Sequence, residues 1–132
     1  MVLALNEMRR RSDNFIEQYK DITDERSYSQ MFWRDFFHIF GVNWKDVAIF
    51  ELAVKKFGGA QGFIDCFWKG KLVIEHKSRG KSLTSAFNQA VGYLDTLSSE
   101  EKPRYVIVSD FDRIRLVDLF TTKKKEIHLM EF

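Results

Sequence analysis

Residues 62–77, GFIDCFWKGKLVIEHK, constrain this chain more than any other stretch. Two apolar runs, Phe63 to Phe67 and Leu72 to Ile74, flank a break at Lys69-Gly70. Short runs rich in β-branched and aromatic residues around a Gly-bearing break read as a β-hairpin. Asp65 interrupts the first run, Glu75 follows the second, and Lys77 lies two residues further on. Charged side chains rarely sit among core residues without a partner, so these positions stand out. Side chains alternate along a strand, which puts Glu75 and Lys77 on one face. Asp65 joins that face only if the hairpin loop has an odd number of residues. A three-residue loop, Trp68-Lys69-Gly70, meets the condition and sets Gly at the left-handed third position. A two-residue turn at Lys69-Gly70 would put Asp65 on the opposite face from Glu75.

An acidic residue, a spacer of nine and then Glu-x-Lys is the pattern of a metal-dependent phosphodiesterase site. Phosphodiester hydrolysis uses a hard cation to neutralise the phosphate and to acidify a water. Mg²⁺ takes one or two carboxylates and keeps several waters. Asp65 and Glu75 are the candidate carboxylates, and the backbone carbonyl of His76 is a candidate third ligand. Lys77 is placed to orient the water and stabilise the transition state. The competing account is a hairpin carrying a cross-strand Glu–Lys surface pair. The apolar setting of both carboxylates favours the site.

The flanking segments supply an α/β frame. Leu5, Met8, Phe15, Ile16 and Tyr19 predict a first helix over about 5–20, with a basic run at Arg9-Arg10-Arg11 that reads as a solvated face. Tyr28, Phe32, Phe36 and Ile39 predict a second over about 27–40, and Met31, Trp33, Phe37 and Phe40 extend its apolar surface most of the way round. Such a helix is buried or interfacial. Val47, Phe50, Val54 and Phe57 predict a third helix from Trp44 to Phe57, with Glu51 on its stripe. Glu51 either pairs with Lys55 at i+4 or reaches the metal or its waters as a third acid. Gly58, Gly59 and Gly62 then break that helix and open the hairpin. From Lys69 to Lys81 five basic residues face one acidic residue, and Lys69, Arg79 and Lys81 are candidate DNA contacts. Ser82 is a suitable N-cap for a helix to about Leu97, with Gln89 beside the core stripe as a candidate supporting residue. Tyr105–Ser109 reads as a buried strand and Ile114–Leu119 as an alternating one. Lys123-Lys124-Lys125 reads as a turn before a last strand, Glu126–Met130.

Composition closes off several classes. A net charge of +2 is too small to imply a polyanion partner by itself. One cysteine excludes a disulfide framework and fits a reducing cytoplasm. No stretch approaches the ~20 apolar residues of a membrane span. The start, MVLALNEMRRR, lacks signal-peptide order. The 132 residues suit one domain, with 1–41 as its helical N-terminal portion.

Ile64-Asp65 and Glu75-His76-Lys77 resemble the PD-(D/E)xK motif, with Ile in place of proline. FELAVKKF, GFIDCFWKGKLVIEHKSRGKSL, QAVGYL and PRYVIVSDFDRIRLVDL are similar to the N-terminal endonuclease domain of MmeI-like type IIG/IIL restriction–modification enzymes. The resemblance implies an α/β fold, a restriction-endonuclease-like mixed sheet with an α-β-β-β-α-β core behind N-terminal helices. It implies catalytic roles for Asp65, Glu75 and Lys77, with Mg²⁺ (or Mn²⁺) as cofactor and double-stranded DNA as substrate in a bacterial cytoplasm. Methyltransferase and target-recognition domains would lie outside this chain, and S-adenosylmethionine would enter only through the former. The chain is then expected to be a fragment, with oligomerisation a route to double-strand cleavage. Two alternatives stay open: a non-catalytic nucleic-acid-binding or assembly module, and a structure-specific repair nuclease.

Overall fold

The computed structural model describes residues 3–55, 61–95 and 97–131. Helix α1 (Leu5–Tyr19) and helix α2 (Glu25–Ile39) form as the periodicity predicts. Asp24 caps α2 by accepting from the Ser27 N–H at 3.2 Å, and Gly41, at φ 75°, ends it. A single helical turn, α3 (Trp44–Val47), follows. Six strands come next: β1 (Ile49–Lys55), β2 (Gln61–Trp68), β3 (Leu72–His76), β4 (Tyr105–Ser109), β5 (Arg113–Asp118) and β6 (Lys124–His128). Helix α4 (Leu83–Leu94) links β3 to β4, and its cap Ser82 accepts from the Ser85 N–H at 3.1 Å. The strands lie in sequence order in one sheet. Only the β3–β4 pair among them is parallel, as the helical crossover requires.

The predicted third helix is wrong beyond its first turn. Residues 49–55 are strand, and β1 pairs with β2 from Ile49↔Phe67 to Lys55↔Gln61. Val47, Phe50 and Val54 fit helical spacing, but Ile49, Phe50, Leu52 and Val54 suit a pleated surface equally, and pairing with β2 decides between them. Phe57, Gly58 and Gly59 lie outside the described residues, and Gly62 is in β2. At the far end, Lys124 and Lys125 are strand rather than turn.

Helices cover both faces of the sheet. On one side α1 and α2 pack Phe15, Tyr19, Phe32, Trp33 and Phe37 against Cys66, Ile74, Ile107 and Ile114. On the other, α4 packs Leu83, Ala86, Ala90 and Tyr93 against Ile64, Phe67, Val73, Val106 and Val108. The aromatic surface of α2 is therefore spent within this chain, on rings such as Phe32 against Phe15, Trp33 and Phe111. Met31 and Phe40 stay exposed.

Candidate active site

The hairpin loop is Lys69-Gly70-Lys71, with Trp68 paired to Leu72 and the Lys71 N–H donating to the Trp68 carbonyl at 2.9 Å. Its length is odd, as a shared face requires. It begins one residue later than Trp68-Lys69-Gly70, and Gly70 takes its left-handed φ of 73° at the centre. The shift matters. With Cys66 paired to Ile74, the next step brings Asp65 level with Glu75 rather than with Val73. The His76 N–H donates to Asp65 Oδ2 at 2.7 Å, and the Asp65 N–H points at Glu75 Oε1 from 3.4 Å.

These two carboxylates are poorly provided for. Glu75 is 1% exposed and Asp65 is half-buried. Burial, above all, pushes both pKa values up. For Glu75 the Asp65 charge adds to the rise. For Asp65 the His76 N–H offsets part of it, while Glu25 and Glu51 push further. Lys77 pulls both down. Two neighbouring like charges, one buried and one half-buried, resist full ionisation.

Glu51 lies beside these carboxylates, exposed and on a strand rather than a helix. Phe50 pairs with Cys66 and Leu52 with Ile64, and between them Glu51 lies opposite Asp65 at φ 55°. A left-handed non-Gly residue stores roughly 1–3 kcal/mol of strain. Glu25 was not among the sequence candidates. It sits in the first turn of α2, where its Oε2 accepts from Ser78 Oγ at 3.1 Å, and its charge raises both carboxylates. An acidic residue after an Asp cap is ordinary helix-start chemistry, so the sequence carries no separate signal for it.

Lys77 is held at both ends. Its backbone N–H donates to the Ser109 carbonyl at 2.8 Å, and its Nζ donates to Gln89 Oε1 at 2.6 Å. Gln89 Nε2 in turn donates to the Tyr93 hydroxyl at 3.0 Å, one helical turn along α4. The i, i+4 pair thus sets the amide so that its oxygen faces the ammonium.

Strand alternation sends the His76 imidazole to the opposite face, where Trp33 Nε1 donates to its Nδ1 at 3.0 Å. The proton then resides on Nε2, which has no polar partner among the described residues. Phe111 packs edge-on at 4.2 Å between centroids. Burial lowers the His76 pKa to about 3, so the ring stays neutral and braces the strand from behind.

The basic cluster divides. Lys69 is at the hairpin loop, more than about 10 Å from Glu75 at ~3.3 Å per strand residue. Arg79 is committed to α1, which has no basic residue in its last turn. Its Nε and Nη2 donate to the Ile22 carbonyl at 3.1 and 2.9 Å, and Nη2 to the Lys20 carbonyl at 3.2 Å. It supplies from afar the cation a helix C-terminus favours. Lys81 is exposed on the loop between β3 and α4.

Among the described residues, no three His, Cys, Asp or Glu side chains converge as a metal cluster. Two carboxylates and the His76 carbonyl still suit Mg²⁺, which needs few protein ligands. Their strained ionisation also fits a cation, whose charge would hold both carboxylates ionised.

Residues 7–132 match the family described as MmeI, N-terminal domain. No curated protein matches. Among solved structures, a cryo-EM structure of a DrdV–DNA complex aligns with a TM-score of 0.57 and 15% identity. The alignment covers 97% of this chain and 12% of that one. At that identity the likeness speaks to the fold: a restriction-enzyme-like mixed sheet with N-terminal helices, as the sequence predicts. No helix among the described residues is long and apolar enough to cross a membrane. The family match spans nearly the whole sequence, hairpin and crossover helix included, and the chain belongs to the MmeI N-terminal domain family.

Proposed function

We propose that this chain is the Mg²⁺-dependent endonuclease domain of a restriction–modification enzyme, hydrolysing phosphodiester bonds in double-stranded DNA. The observation that carries the reading is the pairing of Asp65 with Glu75 beside a Lys77 ammonium held by Gln89. Asp65, Glu75 and the His76 carbonyl would hold the cation. Bound there, Mg²⁺ neutralises charge on the phosphate and lowers the pKa of a water. Lys77 has three N–H donors and gives one to Gln89. Two remain to orient the attacking water and a phosphate oxygen. Asp65 and Glu75 exclude other anions unless the cation is present, so phosphate binding and metal binding are coupled. In this reading sequence recognition and S-adenosylmethionine-dependent methylation belong to domains outside this chain, and paired copies cut the two strands.

The test is cleavage of duplex DNA, with Mg²⁺, Mn²⁺ or EDTA, by an enzyme carrying this domain. Lys77→Ala and Asp65→Ala should each abolish cutting with folding intact by circular dichroism. Cutting in EDTA, or normal cutting by Lys77→Ala, overturns the mechanism. Salt-sensitive DNA binding that ignores both metal and Asp65, without cleavage, would favour a non-catalytic binding module instead.

A further inference from the structure

A second site lies away from the carboxylates, in a cavity of ≈ 600 Å³ whose wall includes Arg11, Arg34, Asp35, His38, Trp44 and Lys45. Arg34 is its unusual member. Its guanidinium carbon lies 4.2 Å from the Trp44 ring centroid and 5.3 Å from that of Phe50. Its Nε is buried and finds no acceptor among the described residues. A guanidinium stays charged at any working pH and carries five donors, and a buried Nε–H without an acceptor is costly.

The neighbouring groups are otherwise engaged. Asp35 accepts from the Tyr19 hydroxyl at 2.5 Å and from Gln18 at 3.4 Å. Arg11 donates to Glu7 at 2.9 Å and to the His38 carbonyl at 2.7 Å. Lys45 Nζ stands 5.9 Å from the Trp44 ring. Arg34, Lys45 and Arg11 thus outnumber the one carboxylate of the wall, Asp35, and the Arg34 guanidinium rests against the Trp44 ring.

We infer that this cavity binds a phosphate group, with Arg34 as its principal donor and Lys45 as supporting charge. A planar fork beside a fixed ring suits a tetrahedral oxyanion. The volume exceeds what a lone carboxylate needs and falls in the range of small-ligand sites. The phosphate can come from a free phosphate compound or from a nucleic-acid backbone. Strand β1 runs from the cavity to the carboxylates, because Phe50, whose ring lies 5.3 Å from the Arg34 guanidinium, precedes Glu51, which lies opposite Asp65. The inference stands on its own geometry and does not depend on cleavage.

The experiment follows the Arg34 Nε–H resonance in ¹⁵N spectra of the 132-residue chain, in EDTA. Inorganic phosphate, a 5′-mononucleotide, a short DNA duplex and glutarate are titrated separately. A saturable shift with phosphate groups, retained in Asp65→Asn and weakened about tenfold in Arg34→Lys, is the expected result. Saturation by mononucleotide at or below the duplex concentration assigns a free phosphate compound. Saturation by duplex at tenfold lower concentration assigns the backbone. No shift with any phosphate, or an equal shift with glutarate, overturns the inference. Binding of the same ligands by Arg34→Met, followed calorimetrically, overturns it also. Should Arg34→Met not fold, Arg34→Lys carries the same comparison.

Discussion

Asp110 and Glu75 are each 1% exposed, and their surroundings treat them in opposite ways. Asp110, just beyond β4, accepts from the Gly80 N–H at 3.0 Å, the Arg113 N–H at 2.8 Å and the Arg113 guanidinium at 2.9 Å. Burial pushes its pKa up, but the Arg113 and Gly80 bonds outweigh it and the net shift is down. Glu75 has one long N–H contact at 3.4 Å and a second carboxylate for a neighbour, and its net shift is up. A buried carboxylate kept for the fold is surrounded by donors. One left short of donors beside another acid is held for something that arrives later. The two lie close together, since the Lys77 N–H bonds the Ser109 carbonyl. Burial therefore does not explain the difference; the donors do.

Exchanging each acid for a neutral partner sharpens the contrast. Glu75→Gln should lower cleavage by about 10³-fold or more, roughly 4 kcal/mol of transition-state stabilisation, while raising stability without metal. Single-turnover cleavage and urea denaturation on the same preparation check both halves. A variant that is inactive and also less stable would place Glu75 with the structural acids. Asp110→Ala should do the reverse. Loss of a carboxylate that satisfies Arg113 and Gly80 should cost about 3 kcal/mol in urea denaturation at unchanged m. Cleavage by the fraction still folded should stay within about tenfold.

How much of this contrast was visible beforehand differs by residue. Helices α1, α2 and α4 and strand β4 follow from apolar spacing, because one buried face dominates each. Asp65, Glu75 and Lys77 were brought to one face by parity alone, since any odd loop suffices; the actual register depended on where the Gly70 turn closed. Glu51 was assigned to the wrong element because its segment fits both periods, and only pairing with β2 decides. Glu25 and Arg79 could not be read, for a different reason. Their partners, Ser78 for the one and the residues just beyond α1 for the other, lie 53 to 59 residues away. The donors that separate Asp110 from Glu75 were equally hidden, because a hydrogen bond to a backbone N–H leaves no mark on composition.

A cation should relieve the uncompensated pair and leave the compensated acid alone. At one hundred times its dissociation constant, a ligand specific to the folded state adds about 2.7 kcal/mol of stability. Mg²⁺ should therefore raise the wild-type unfolding free energy by about that amount. It should do little to Asp65→Ala and Glu75→Gln. Equal stabilisation of all three would mean that the ion acts elsewhere.

The smallest effect is also the most specific to the comparison, because it depends on the sign of each shift. His76 has an unfolded pKa near 6.5 and a folded one of about 3. Between those values the unfolded chain binds the extra proton, so stability falls as pH falls, by up to ~1.4 kcal/mol per pH unit. Glu75 runs the other way. Its folded pKa lies above the ordinary 4.5, so the folded chain binds the extra proton and stability rises as pH falls toward that value. Between about pH 6.5 and about 5 the two trends oppose each other. Asp65, also shifted up, adds to the Glu75 trend, so in EDTA the wild-type unfolding free energy should hold or rise over that range. In Glu75→Gln that contribution is gone and only the raised Asp65 opposes His76, so the change on acidification should lie roughly 1–2 kcal/mol below that of wild type. The other titrating groups are common to both proteins and only Asp65 borders the substitution, so the difference between the two curves reports the Asp65–Glu75 pair. Parallel curves would mean that Glu75 ionises as easily in the folded chain as in the unfolded one, and the distinction from Asp110 would vanish.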